Sequence, residues 1–265
     1  MPTEPGESRY QVRALERALD ILDAFSLAES QLSLTAIAAR VGLAKSTTTR
    51  LLAVLEERGY LERSPETERY GIGVRAFEVG SVYIQTTTLE AEAEPALRLL
   101  ARECQQTANL GILSRGEVVH LAVVAPDRPI RYYATVGQRE SAHCTGLGKV
   151  LLAALDDGQL DEIIAARGLP RRTERTITEP GQLRARLARV RAAGFALDEE
   201  EAFPGLKCVA APIRDHKGRT VAALSVSGPA PEFGPDALGR YTAAVLRAAG
   251  DVSARLGRRP VTSDE

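Results

Sequence analysis

Residues 33–73 read SLTAIAARVGLAKSTTTRLLAVLEERGYLERSPETERYGIG. The order is a short helical pattern, a glycine, a longer helical pattern, then two β-like runs around a polar tip. Thr35 opens the first pattern, and Ile37, Ala38 and Val41 form its inward face. Gly42 ends it, since glycine takes the left-handed cap without steric penalty. Ser46 or a neighbour opens the second pattern, whose Leu51, Leu52 and Leu55 return to a core while Lys45, Thr47, Thr48 and Arg50 stay outside. Tyr60–Arg63 and Arg69–Ile72 read as a hairpin with residues 64–68 at its tip. Helix, tight turn, helix and hairpin in this order predict a winged helix-turn-helix, a module whose second helix enters the DNA major groove.

The chemistry of the exposed side fits that prediction. Lys45 and Arg50 suit phosphates or guanine edges, and Ser46, Thr47 and Thr48 can bond phosphates or bases at close range. Thr35 at the start of the first helix joins this set, and Arg63 and Arg69 in the wing reach a flanking backbone or minor groove. The alternative is a three-helix subdomain for dimer or partner contacts, with Lys45–Arg50 a solvated face. Bulk charge does not decide between them. Lysine and arginine number 34 against 35 acids, a net charge of −1, so DNA binding rests on where charge is placed.

The 265 residues accommodate one large domain or two ordinary ones. A composition 44% hydrophobic and 26% charged is that of a soluble chain with a core. No run approaches the ~20 apolar residues of a membrane span, and the polar, acidic N-terminus has no secretory pattern, so a cytoplasmic location is expected. Cys104, Cys144 and Cys208 are odd in number and lack a C-x-x-C spacing, which suggests reduced thiols.

Residues 1–8 read as a frayed tail, and Leu15, Leu19, Leu22 and Phe25 mark an amphipathic helix after Val12. Residues 26–33 read as a polar connection. The expected domains are 9–73 for DNA binding, 74–89 as a helical linker or dimerisation segment, and 90–258 for the rest. In that last part we expect a helix around Pro95–Cys104 and β-like runs at 108–114, 117–125 and 130–136. Helices follow at 145–155, 158–167 and 180–193, then strands at 195–200, 208–214 and 219–227, and a final helix at 236–256. Mixed strands and flanking helices predict an α/β domain with a central sheet.

Small polar groups gather at the ends of these elements. Gly146 and Gly148 flank Leu147 just before a helix, where backbone amides can face an anion. Asp198, Cys208, Ser225 and Ser227 follow at strand spacing, and Ser225 and Ser227 project from one face of one strand. Such a cluster suits a small carboxylate or hydroxylated ligand. Equally, the serines are ordinary strand residues and Cys208 a small buried hydrophobe. His143, Cys144 and Cys208 pose an enzymatic alternative, as nucleophile and base or as metal ligands. Adjacent His143 and Cys144 on a strand would point to opposite faces, and neither H-E-x-x-H, G-x-S-x-G nor a phosphate loop is present. His120 and His216, in a strand-like run and a turn, read as structural or exposed. Glu199–Glu201 reads as a solvated loop. Of the arginine-rich patches 171–175 and 184–191, the second alternates with Leu183, Leu187 and Val190 as an amphipathic helix does.

The runs LERALDIL at 15–22, LSLT at 32–35, GLAKST at 42–47, RLL at 50–52 and GYL at 59–61 together resemble the IclR family of transcriptional regulators. The likeness continues through HCTGLGK at 143–149, GFA at 194–196, CVAAPI at 208–213 and LSVSGP at 224–229, in order along nearly the whole chain. The resemblance implies an α+β two-domain fold: a winged helix-turn-helix, a helical linker, and a C-terminal effector-binding domain with a mainly antiparallel, GAF-like sheet. It implies double-stranded operator DNA, a small organic acid or aromatic effector, and self-association as a homodimer or dimer of dimers. It implies neither membrane partner, cofactor, metal nor catalytic residues. Positions matching the family's effector site are Gly146, Leu147, Asp198, Cys208, Ser225 and Ser227, with Tyr132 closing the pocket. The family commonly has alanine where Leu147 stands, so effector size or preference is expected to differ here.

Overall fold

The computed structural model describes residues 12–26, 29–86, 88–128 and 134–257, with backbone alone for 81–86 and 88. The chain divides into two compact units, Met1–Thr87 and Thr88–Glu265.

The first unit contains α1 (Arg13–Asp23), β1 (Gln31–Leu32), α2 (Leu34–Arg40), α3 (Lys45–Glu57), β2 (Leu61–Arg63), β3 (Tyr70–Ile72) and α4 (Val74–Thr86). Ile21, Leu32, Ile37, Leu52, Leu55, Leu61 and Tyr70 close its core. Ser33 caps α2, its hydroxyl accepting from the Ala36 amide at 3.2 Å, so the helix starts one residue before Thr35. Gly42 has φ +65°, and the Leu43 amide reaches back to the Ala38 carbonyl at 3.0 Å, the bond that closes a helix with a left-handed cap. The segment read as a polar connection supplies a strand: Leu32 pairs with Tyr70, giving a three-stranded sheet in the order β1-β3-β2.

One expectation for α3 fails. Thr48 is fully buried, and its hydroxyl donates to the Ala44 carbonyl at 3.1 Å. Positions 48, 52 and 55 stand at i, i+4 and i+7, so Thr48 lies on the stripe of Leu52 and Leu55. Leu51, expected in the core, is only half-buried, and Thr49 is exposed.

The second unit is built from α5 (Thr88–Cys104), β4 (Thr107–Ser114), β5 (Glu117–Val124), β6 (Arg139–Ser141), α6 (Gly146–Ala153), α7 (Asp157–Arg167), α8 (Pro180–Ala193), β7 (Ala196–Glu199), β8 (Leu206–Arg214), β9 (Thr220–Pro229) and α9 (Pro235–Arg255). Pro95 lies inside α5 rather than near its start. The sheet runs β6-β5-β4-β9-β8-β7 and every neighbouring pair is antiparallel. Alternation along β8 divides the core. Val209, Ala211 and Ile213 pack with Leu97, Leu100, Val245 and Val252 of α5 and α9. Ala210 joins Leu147, Leu151, Leu183 and Leu187 of α6 and α8 on the other face.

The β-run expected at 130–136 falls partly on residues that are not described. Residues 130–133 lie outside the described residues, Ala134–Val136 is not a strand, and the edge strand is Arg139–Ser141, paired with Glu117–Val119. Among the described residues no helix is long and apolar enough to cross a membrane.

Candidate functional site

The first unit presents a polar face along α3. Lys45, Ser46 and Arg50 are exposed, Thr47 is half-buried, and Thr35 is exposed on the first turn of α2. Ala44 caps α3 with no side-chain hydrogen bond, so its leading amides meet solvent or an incoming anion. In the hairpin, Arg63 forms an ion pair with Glu68 and its guanidinium lies 5.7 Å from the Tyr70 ring centroid. Arg69 is exposed, with Nη1 3.5 Å from the Gln31 carbonyl. Lys45 and Arg50 have no ion-pair partner among the described residues. Their charge is therefore available to a ligand.

The second unit gathers polar groups on the α6 side of the sheet. Register places Asp198, Cys208, Ser227 and Thr107 in one row across β7, β8, β9 and β4, with Ala210, Ser225 and Asn109 in the next. The start of α6 lies over these rows. Thr145 caps it, accepting from the Gly148 amide at 3.1 Å. A Cβ on Gly146 would stand 2.8 Å from Cys208 Sγ, and one on Gly148 would stand 2.1 Å from the Ala142 carbonyl oxygen. Only glycine lets the helix start approach this closely.

Between helix and sheet is a small, partly open cavity lined by Leu147, Asp198, Cys208, Ser225 and Ser227 among others. Five of the seven expected ligand residues thus converge. Gly146 does not line the space but packs on Cys208. Tyr132 lies outside the described residues. The lining also includes His120, Glu140, Thr145 and Phe203, which the sequence did not assign to a ligand. Asn109 was missed too. Its Nδ2 donates to Ser225 Oγ at 3.2 Å and Ser227 Oγ at 3.3 Å, while its Oδ1 has no partner. An asparagine facing inward from the apolar strand TANLGILS was the available signal.

Burial sets the electrostatics. It pushes the Asp198 carboxyl up to about 7, against the pull of the Lys149 ammonium and of the Glu201 and Ala202 amides that bond Oδ1 at 2.7 and 3.4 Å. Burial, with Asp198 nearby, pushes the Cys208 and Cys144 thiols up to about 12. Neither is a thiolate at neutral pH. His143 and Cys144 lie in a turn rather than on a strand, His143 Nε2 bonding the Pro170 carbonyl and the Cys144 thiol that of Ser141. No nucleophile–base pair is formed by them.

The acidic run is not uniformly solvated. Glu201 is buried and pairs with Lys149 of α6, itself fully buried, with Arg186 Nη1 3.6 Å from the same carboxylate oxygen. Its carbonyl accepts from Thr176 Oγ1 at 2.7 Å. Glu200 meets Arg175 at 3.2 Å, and only Glu199 is exposed. The loop carrying Phe203 is therefore anchored to the helix that roofs the cavity.

Comparison with known proteins matches both units. The model for the IclR helix-turn-helix domain fits residues 14–65, and that for the bacterial transcriptional regulator IclR C-terminal fits residues 81–254. The HTH-type transcriptional regulator BhcR of Paracoccus denitrificans is 40% identical over 242 residues, 91% of this chain and 86% of its own length. The transcriptional repressor IclR of Escherichia coli is 33% identical over 249 residues, 93% and 91% of the two chains. An IclR homolog from Microbacterium hydrocarbonoxydans, crystallised with 4-hydroxybenzoate, superposes with a TM-score of 0.80 at 25% identity, covering 92% of this chain and 99% of that one. A DNA-reading unit followed by a ligand-binding unit, each matching its own family model and together aligning with whole regulators, makes this chain a member of the IclR family of transcriptional regulators rather than an enzyme.

Proposed function

We propose that this regulator is cytoplasmic, binds a palindromic operator as a homodimer or dimer of dimers, and changes its DNA affinity when a small organic acid or aromatic metabolite enters the cavity under α6. The observation that carries the sensing half is the convergence of Asp198, Cys208, Ser225 and Ser227 on one small cavity beside a helix start. Lys45, Ser46, Thr47 and Arg50 would meet the major groove, with Thr35, Arg63 and Arg69 on flanking phosphates. Arg63 would exchange Glu68 for a phosphate. Thr48, being buried, supports the helix from within.

Dimerisation is assigned to the segment 74–89. Val74, Phe77 and Val79 of α4 are exposed apolar side chains, Phe77 to 71%, which a partner surface would cover. Two recognition helices are needed because one module buries too little DNA for useful specificity. The effector then acts by favouring one spacing of the pair, which requires different affinities for the two arrangements.

The test is the double variant Ser225→Ala, Ser227→Ala. Operator binding in a gel shift should stay within about threefold of wild type, while the effector concentration for half-release rises by roughly tenfold or more, two buried hydrogen bonds being lost. An unchanged effector response would misplace the pocket.

A further inference from the structure

We propose that the second unit has a second small-molecule site, separate from the cavity under the start of α6, which takes a short amphipathic carboxylate. The apolar tail enters and the acid group stays at the mouth. The site is a partly open cavity of about 200 Å³ between α6, α7, α8 and the β5–β6 edge of the sheet. None of its lining residues lines the cavity under the start of α6. Apolar space of roughly 150 Å³ holds a benzene-sized molecule, so this one has room for a short chain or a single ring.

The apolar floor follows from the sequence of α7. Leu160, Ile163 and Ile164 stand at i, i+3 and i+4 on one helix face, and they pack in one cluster with Leu152 of α6 and Leu183 of α8. Leu152, Leu160 and Leu183 are buried, whereas Ile163, Ile164 and Leu169 are only half-buried and line the cavity. Gly116 brings the β4–β5 turn against this floor, since a Cβ there would stand 2.9 Å from Ile163 Cγ2. An apolar wall left open to water gains from an apolar occupant.

The polar part of the lining is cationic. It holds Arg167 and Arg172, and Glu117 is its only acid. Glu117 is already shared, with Arg139 Nε 2.9 Å and Arg167 Nη2 3.4 Å from the same carboxylate oxygen. Arg172 Nη2 donates to the Ser141 hydroxyl at 3.1 Å and forms no ion pair among the described residues. Its own amide bonds Thr176 Oγ1 at 3.0 Å, which holds the segment that carries it. Burial keeps the His143 imidazole below its ordinary range, so it adds no charge at neutral pH. Two arginines against one acid leave a positive charge that a single carboxylate matches, and the guanidinium fork suits that group.

Isothermal titration of the full-length protein with butanoate, hexanoate and 1-hexanol tests the assignment. Hexanoate should bind roughly tenfold more tightly than butanoate, two further methylenes being buried. It should bind roughly fivefold or more tightly than 1-hexanol, which has the tail without the charge. Arg172→Ala, at an exposed position, should keep the wild-type circular dichroism and lose that preference for the acid. Leu169→Trp should fill the cavity and weaken hexanoate by roughly tenfold or more. Hexanoate that binds no better than butanoate removes the apolar tail from the site. Wild-type hexanoate affinity in either folded variant places the acid elsewhere, and no binding to wild type overturns the site outright. Should Leu169→Trp not fold, Arg172→Ala alone decides.

Discussion

Asp198 accepts two backbone amides while burial resists its charge, and its carboxyl sits at about 7 instead of the ordinary 3.8. The folded protein therefore holds a proton that the unfolded chain has released between about pH 4 and pH 7, and stability falls as pH rises through that window. Asp198→Asn keeps an oxygen for the Glu201 and Ala202 amides and removes the titration. Thermal melts at about pH 5 and about pH 8 should show the wild type losing up to a few kcal/mol relative to the variant, since each tenfold change in proton affinity corresponds to about 1.4 kcal/mol. Parallel losses in both proteins would contradict the burial argument. Glu201 and Thr48 show where single residues are illegible in sequence. Both are polar, and polarity alone puts them outside. Thr48 lies on a helical stripe with two leucines, and Glu201 meets Lys149 from an element 52 residues earlier. Local polarity is readable in a sequence; a long-range ion pair is not.

At the scale of elements, α6 depends on close approach. A Cβ at Gly148 would meet the backbone of Ala142 at 2.1 Å, an obstacle that cannot rotate away. Gly148→Ala should destabilise the second unit by about 2–4 kcal/mol in denaturant unfolding and disturb the cavity roof. Gly250 of α9 is also helical but exposed, with nothing within 4 Å of the added atom. There the same substitution should stabilise by about 0.5–1 kcal/mol, because alanine is the better helix former. Equal effects at the two sites would refute the packing argument. Helices with a clear apolar stripe or cap, such as α2, α3 and α8, were legible to within a residue or two. The two-residue strand β1 and the edge strand β6 were not. Gln31–Leu32 is too short for periodicity and becomes a strand only by pairing with Tyr70 and Gly71. Arg139–Ser141 is polar, and its place is set by pairing with β5.

For the whole molecule, function was more legible than structure in the first unit and less so in the second. A helix-turn-helix declares itself through local spacing. The cavity joins residues from β5, α6, β7, β8 and β9; strand spacing pointed to Asp198, Cys208, Ser225 and Ser227 but not to His120 or Glu140. The two units divide the labour of an IclR-family regulator, one presenting Lys45 and Arg50 on an otherwise near-neutral chain, the other gathering polar side chains around a small cavity. DNA binding must then depend on a few placed cations rather than on net charge. The decisive measurement is fluorescence anisotropy of the full-length protein on a duplex from its own upstream region, across a salt series, for wild type and Arg50→Ala. The wild type should bind with a log affinity that falls linearly with log salt, and Arg50→Ala should lose roughly tenfold or more with unchanged circular dichroism. An Arg50→Ala protein that binds the duplex as tightly as wild type would contradict the assignment of α3 as the DNA-reading helix.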